Sequence, residues 1–208
     1  MVHLIDDTEL VDAGMRRITD FFKARLSREV AAVSGVVDLV FMADDVGQQH
    51  GPLLSPALYR ERIQPFHREI CDHARSQLPD ALIEYHTDGS AFRLIPDLMA
   101  AGVQILEAVQ VECAEMDPEN LINHFGGRLG FQGGISVQQV LPSATPEAVK
   151  VECRRLVDTL GRHGAYLAAP SHAIQAGTPP ENILAMLEAV LGPERYDAAL
   201  EGARVVSA

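Results

Sequence analysis

His86, Asp88 and His172 offer the clearest chemistry in this sequence. His86 and Asp88 are two residues apart at the end of an apolar run, so both side chains leave a strand on the same side. Two imidazoles and a carboxylate are a suitable ligand set for zinc or another divalent ion, and the same groups suit acid–base catalysis. The alternative is that His86 and Asp88 bond each other and cap the next helix, because H-x-D lacks a strict metal-binding spacing such as H-E-x-x-H.

A second set of residues also follows directly after apolar runs. Asp44 and Asp45 are adjacent carboxylates that suit a base, a metal ligand or an anchor for a cationic substrate group; their alternative is an exposed acidic loop. Gly133 and Gly134 permit a close approach of the backbone to a ligand, or else form a tight turn. The residues that we expect to bind a small-molecule substrate are Asp44, Asp45, Gln48, Gln110, Gly133 and Gly134.

The other histidines and the cysteines carry weaker expectations. His67 falls within a predicted helix, where we expect a surface residue rather than a ligand. Cys71 and Cys153 also fall within predicted helices and are expected to be small packing residues. Cys113 follows an apolar run and is the thiol to test for reactivity.

Five short apolar runs alternate with longer amphipathic segments, and this alternation sets the expected fold. The first amphipathic segment spans 8–33 and has apolar residues at helical spacing. The apolar runs are 36–42, 81–86, 103–110, 129–134 and 165–170. Strands joined by helices of this length pair in parallel through right-handed crossovers, and their carboxyl ends meet at one edge. The prediction is a single α/β domain over 1–208, built as either an open doubly wound sheet or part of an eight-stranded barrel.

Composition excludes several classes of protein. The 208 residues carry a formal net charge of −12, which opposes binding to nucleic acid or to an anionic membrane surface. No apolar run approaches the roughly 18 residues of a membrane span, and the first residues lack the pattern of a secretion signal. Three widely spaced cysteines favour reduced thiols and a cytoplasmic location. The sequence lacks motifs such as G-x-G-x-x-G, the P-loop and G-x-S-x-G. It therefore gives no motif evidence for a nucleotide-binding protein or a serine hydrolase.

The segments around the candidate residues, taken in order, carry a resemblance to a known family. They begin with DDVGQQHGPLLSPALYRERIQPFHREI and end with APSHAIQAGTPPENILAMLEAV. The full set is 44–70, 86–110, 116–135, 141–160 and 169–190. Together they resemble the uroporphyrinogen decarboxylase (URO-D) superfamily, which also holds the corrinoid-linked methyltransferases. The resemblance implies a (βα)8 barrel of the TIM type with its active site in the mouth. This chain would match the C-terminal five of the eight strands, as a partial barrel of about five parallel βα units preceded by a helix.

The resemblance implies one of two chemistries. In the methyltransferase branch, a His-x-Cys pair and a later cysteine hold zinc, which activates a thiol acceptor or a methylated substrate, and a corrinoid partner is involved. His86 matches the first ligand, Asp88 replaces the cysteine and His172 lies near the last ligand. In the decarboxylase branch, a histidine near His172 lies beside the substrate, and decarboxylation proceeds without a cofactor.

We therefore expect methyl transfer, with tetrapyrrole decarboxylation as the alternative. A third expectation is a non-catalytic half-barrel, because a partial barrel leaves strand edges that invite pairing with another chain. The partner would be a second copy of this chain or a complementary barrel chain.

Overall fold

The computed structural model describes residues 3–33 and 35–206. Its contacts divide the chain into two compact units, Met1–Leu106 and Glu107–Ala208. The strands are β1 Leu39–Ala43, β2 Gly47–Gln48, β3 Gly51–Pro52, β4 Leu82–His86, β5 Ile105–Glu107, β6 Gly130–Ile135 and β7 Tyr166–Pro170. Five of them form one parallel sheet in the order β1-β4-β5-β6-β7, while β2 and β3 form a small antiparallel pair.

Helices precede the sheet and connect its strands, as the alternating pattern predicts. The first unit contains α1 His3–Asp6, α2 Thr8–Val33, α3 Pro56–Arg62, α4 Gln64–Gln77 and α5 Ile95–Ala101. The second unit contains α6 Pro118–Phe125, α7 Val140–Ser143, α8 Pro146–Leu160, α9 Pro180–Leu191 and α10 Pro193–Val206. These elements confirm the predicted α/β class, with five parallel strands preceded by a helix. Nowhere in the described ranges is a helix both long and apolar enough to cross a membrane.

Three helices begin in the same way, which explains why their starts are predictable. A capping side chain precedes a proline in the first turn and accepts a hydrogen bond from the backbone N–H three residues later. The capping residues are Ser55, Asp117 and Thr145.

Two predicted elements differ from the structure. The strand expected over 103–110 is only Ile105–Glu107, because Ala108 and Val109 have φ angles of 78° and 45° and cannot continue an extended strand. A proline inside a helical segment predicts a kink, as at Pro65, but the structure has a full break there: α3 ends at Arg62 and α4 begins at Gln64. Proline then occupies the first turn of the new helix, where no backbone donor is needed.

The core of the first unit lies between β1, β4 and α4. Its buried residues include Val40, Ile83 and Cys71, with Leu26 of α2 packed against them. Consecutive strand residues point to opposite faces of the sheet. One face, toward the helices, carries Val40, Met42, Ile83 and Tyr85. The other face carries Phe41, Glu84 and His86. In the second unit, α8 packs on β6, β7 and α9.

Candidate functional site

The adjacent carboxylates of the first unit turn in different directions. Asp45 Oδ1 lies 3.9 Å from His86 Nε2 and accepts a 2.9 Å hydrogen bond from the backbone N–H of Asp88. Asp44 Oδ2 instead lies 3.2 Å from Nε2 of His67 on α4. Asp45 therefore stands beside the residues at the end of β4, whereas Asp44 turns toward the helices. The alternation of side chains at the end of β1 explains this separation.

Glycines hold the loop after β1 against the loop after β4. A Cβ on Gly47 would come within 2.4 Å of the Asp88 carbonyl oxygen, and one on Gly89 within 2.5 Å of the Gln48 backbone nitrogen. Two hydrogen bonds join the same loops, from Val46 N–H to the Thr87 hydroxyl oxygen (3.0 Å) and from Ser90 N–H to the Gln48 carbonyl oxygen (2.9 Å). The sequence alone does not predict this role for the two glycines.

His86 and Asp88, whose pairing is the alternative to metal binding, approach each other at the end of β4. His86 Nε2 and Asp88 Oδ1 are 4.0 Å apart, which is longer than a hydrogen bond allows. The His86 side chain is 20% exposed and that of Asp88 35% exposed, so both are accessible to a ligand.

In the second unit, Gly133 and Gly134 serve a close backbone approach. A Cβ on Gly133, where φ is 107°, would lie 2.2 Å from the carbonyl oxygen of Ala108. The N–H of Gly134 donates to that same oxygen over 3.1 Å. Ala108 and Val109 are fully buried with positive φ, which is rare for a β-branched residue such as valine. Strained backbone of this kind is often found at functional sites, and the sequence gives no sign of it.

Polar residues of the second unit surround this strained segment. Gln110 is 7% exposed, and its amide oxygen accepts a 3.7 Å hydrogen bond from the thiol of Cys113. The hydroxyl of Ser136 donates to Glu112 Oε1 over 2.6 Å. The same hydroxyl oxygen accepts from the backbone N–H of Gln139 over 3.0 Å. These contacts fix the side chains at the ends of β5 and β6.

His172 follows β7 in an exposed position. The preceding residue, Ser171, is fully buried, and its N–H donates to the carbonyl oxygen of Ile135 over 2.8 Å. His86 and Asp88 lie in the first unit and His172 in the second, and each offers one ligand atom for a metal ion. The three residues are candidate metal ligands.

His67 is buried, so the prediction of a surface residue is wrong. It is 5% exposed rather than at the surface. Its Nδ1 lies 3.0 Å from the hydroxyl of Tyr59, which is itself fully buried. Burial raises the pKa of Tyr59, so the phenol keeps its proton and can donate to His67. The result is a chain of polar contacts that runs from buried Tyr59 through His67 to the exposed carboxylate of Asp44.

The parallel sheet, with polar residues gathered after its strands, is the arrangement of an α/β protein whose site lies at the strand ends. The model of one family, described as Uroporphyrinogen decarboxylase (URO-D), matches residues 1–192. The chain belongs to this family, as its resemblance predicts.

Individual relatives match smaller parts. A uroporphyrinogen decarboxylase from Azoarcus sp. (strain BH72) is 35% identical over 65 residues, which is 31% of this chain and 18% of that protein. Another, from Paraburkholderia phytofirmans (strain DSM 17436 / LMG 22146 / PsJN), is 31% identical over 65 residues and 17% of its length. A solved methyltransferase from Methanosarcina mazei has a TM-score of 0.72 at 20% identity, covering 91% of this chain and 51% of that one. This likeness establishes the fold, over about half the length of the methyltransferase.

Proposed function

We propose that this chain carries the metal site of a URO-D-family methyltransferase, with His86, Asp88 and His172 as zinc ligands. The observation that supports the proposal is the pair at the end of β4, where His86 Nε2 and Asp88 Oδ1 are 4.0 Å apart and both side chains are accessible. Metal content distinguishes the two chemistries that the resemblance implies. Methyl transfer in that family uses zinc, whereas decarboxylation needs no cofactor.

The donor set fits zinc. Two imidazole nitrogens and one carboxylate oxygen are a known catalytic zinc set, and three protein ligands leave a position open for a substrate atom. Bound zinc would act as a Lewis acid that activates a thiol acceptor or a methylated substrate. The methyl donor that we propose is a methylated corrinoid carried by a partner.

The remaining residues position the ligands and the substrate. Asp45 accepts the Asp88 N–H and stands beside the His86 ring, so it holds the loop that carries the carboxylate ligand. We propose that Asp45, Gln48 and Gln110 contact the substrate. Gly133 and Gly134 keep the backbone close to Ala108 at this edge of the second unit.

Metal content tests the proposal. Protein purified without added zinc should contain about one zinc per chain by elemental analysis, because each chain supplies one ligand set. His86→Ala and Asp88→Ala should each lose the metal. His163→Ala, which removes an exposed histidine outside the group, should keep it. Metal-free wild-type protein with an unchanged circular dichroism spectrum would reject the zinc assignment.

Cofactor-free tetrapyrrole decarboxylation is the second candidate, favoured by the names of the matching relatives. It predicts conversion of uroporphyrinogen to products with fewer carboxyl groups in the presence of a chelator. Chromatography of the porphyrins after oxidation would detect this. Conversion that survives both EDTA and His86→Ala would favour this candidate over methyl transfer.

A third candidate is a half-barrel that functions only with another chain. β7 is an end strand of the sheet, and Leu167 on it is 47% exposed. We propose that a second copy of this chain pairs with β7. Light scattering should then report a dimer for the wild type and a monomer for Leu167→Lys, whereas a monomeric wild type would contradict this candidate.

All three cysteines are buried outside any disulfide, which supports a proposed cytoplasmic location.

A further inference from the structure

A cavity of about 650 Å³ lies in the first unit between α2, β1 and α4. Its volume is within the range of small-molecule sites, which is roughly 300–1,000 Å³. Apolar side chains of the three elements form most of its wall, including Met15, Ile18, Phe22, Leu26, Met42 and Phe66. This composition favours a ligand with a sizeable apolar part.

Six polar residues also line the cavity, namely Thr19, Arg25, Glu29, Asp44, His67 and Tyr85. Arg25 donates to Glu29 over 2.7 Å, so the opposite charges of these two residues offset each other and Asp44 supplies the remaining charge. The hydroxyl of Tyr85 donates to the backbone carbonyl oxygen of Asp44 over 3.0 Å. His67 contacts one oxygen of the Asp44 carboxylate, and the Asp44 side chain is 54% exposed, so its second oxygen is accessible. The polar end of the cavity therefore presents a carboxylate.

His67 holds one oxygen of this carboxylate in place. Its Nε2 lies 3.2 Å from Asp44 Oδ2, and its Nδ1 lies 3.0 Å from the hydroxyl of Tyr59, so both ring nitrogens are held. The imidazole thereby orients the carboxylate. Among ionic ligands, such a site favours a cation, because an anion would face the accessible oxygen of the carboxylate across an apolar cavity.

We propose that this cavity binds an apolar molecule bearing a protonated nitrogen, whose charge pairs with Asp44. The site is separate from the proposed zinc ligand His86 within the same unit. Ala43 pairs in register with His86, and the next residue along β1, Asp44, turns toward the helices. Neither His86 nor Asp88 lines the cavity.

Three matched fluorescent probes test the charge preference of the cavity. They are 2-(1-naphthyl)ethylamine as the cation, 2-(1-naphthyl)ethanol as the neutral molecule and 1-naphthylacetate as the anion, each titrated at pH 7. The cation should bind at least tenfold more tightly than the anion. Ile18→Trp should weaken all three, because the indole fills apolar space in the cavity.

Two adjacent carboxylates provide the matched controls. Asp44→Asn should abolish the preference for the cation while the alcohol binds as before. Asp45→Asn should leave the preference intact, since Asp45 turns to His86 instead. His67→Gln should reduce the preference by a smaller factor than Asp44→Asn. Equal affinity for cation and anion, no binding of any probe, or an equal effect of the two Asn variants would overturn the proposal, and none of these outcomes depends on zinc.

Discussion

Gly133 shows how much a single residue contributes to the strand-end site. We expect Gly133→Ala to lower the free energy of unfolding by at least about 2 kcal/mol. Alanine is strained at a φ of 107°, and its Cβ would collide with the carbonyl oxygen of Ala108. Urea unfolding followed by circular dichroism measures this change.

Gly161 is the control for that substitution in the same unit. A Cβ there meets no atom within 4 Å, and its φ is −79°. Gly161→Ala should therefore change the stability by no more than about 0.5 kcal/mol. Equal losses at Gly133 and Gly161 would show that the close contact with Ala108 is not a constraint.

The cysteines allow a second test at the scale of the residue. Burial raises the pKa of both Cys71 and Cys153 to about 11. At pH 8 only about one molecule in a thousand would carry either thiolate, so we expect these thiols to react very slowly with an aromatic disulfide reagent. Rapid labelling of either residue in the native protein, followed by mass spectrometry, would contradict the burial.

Among the elements, α2 and α4 are joined by a cluster of ion pairs. Glu69 on α4 accepts hydrogen bonds from Lys23 (2.7 Å) and Arg16 of α2, and Thr19 is the buried residue of this long helix. These hydrogen bonds lower the pKa of Glu69. A lowered pKa in the folded state means that the stabilisation is present above the unfolded pKa of about 4.3 and is lost as the pH falls through the folded value.

Glu69→Gln should therefore lower the melting temperature modestly at pH 7, with the difference shrinking in acid and in 1 M salt. Glu9→Gln, an exposed change in the first turn of α2, is the control. A difference between wild type and Glu69→Gln that persists in both acid and high salt would have to come from packing rather than charge.

Most elements could be predicted from the sequence because their signals are local. A capping residue followed by proline marks Ser55, Asp117 and Thr145, and apolar runs mark the strands. The site was less predictable because its contacts are not local. His67 is buried only because Tyr59 and Tyr85 surround it, and the turn after β5 depends on a glycine in β6.

For the whole molecule, the zinc proposal predicts a coupling between metal binding and folding. A ligand that binds only the folded chain stabilises it by about 2.7 kcal/mol when present at 100 times its dissociation constant. Zinc should therefore raise the melting temperature of the wild type but not that of His86→Ala. Calorimetry with and without EDTA makes the comparison, and His163→Ala should behave as the wild type does.

The opposite turns of Asp44 and Asp45 place a constraint on the length of β1. Substituting residues of the strand leaves its alternation intact, but inserting or deleting one residue between Val40 and Ala43 moves every later side chain to the other face. Such an indel would send Asp44 toward His86 and withdraw it from His67. A point mutation scan would not detect this requirement, whereas a library of single-residue insertions would.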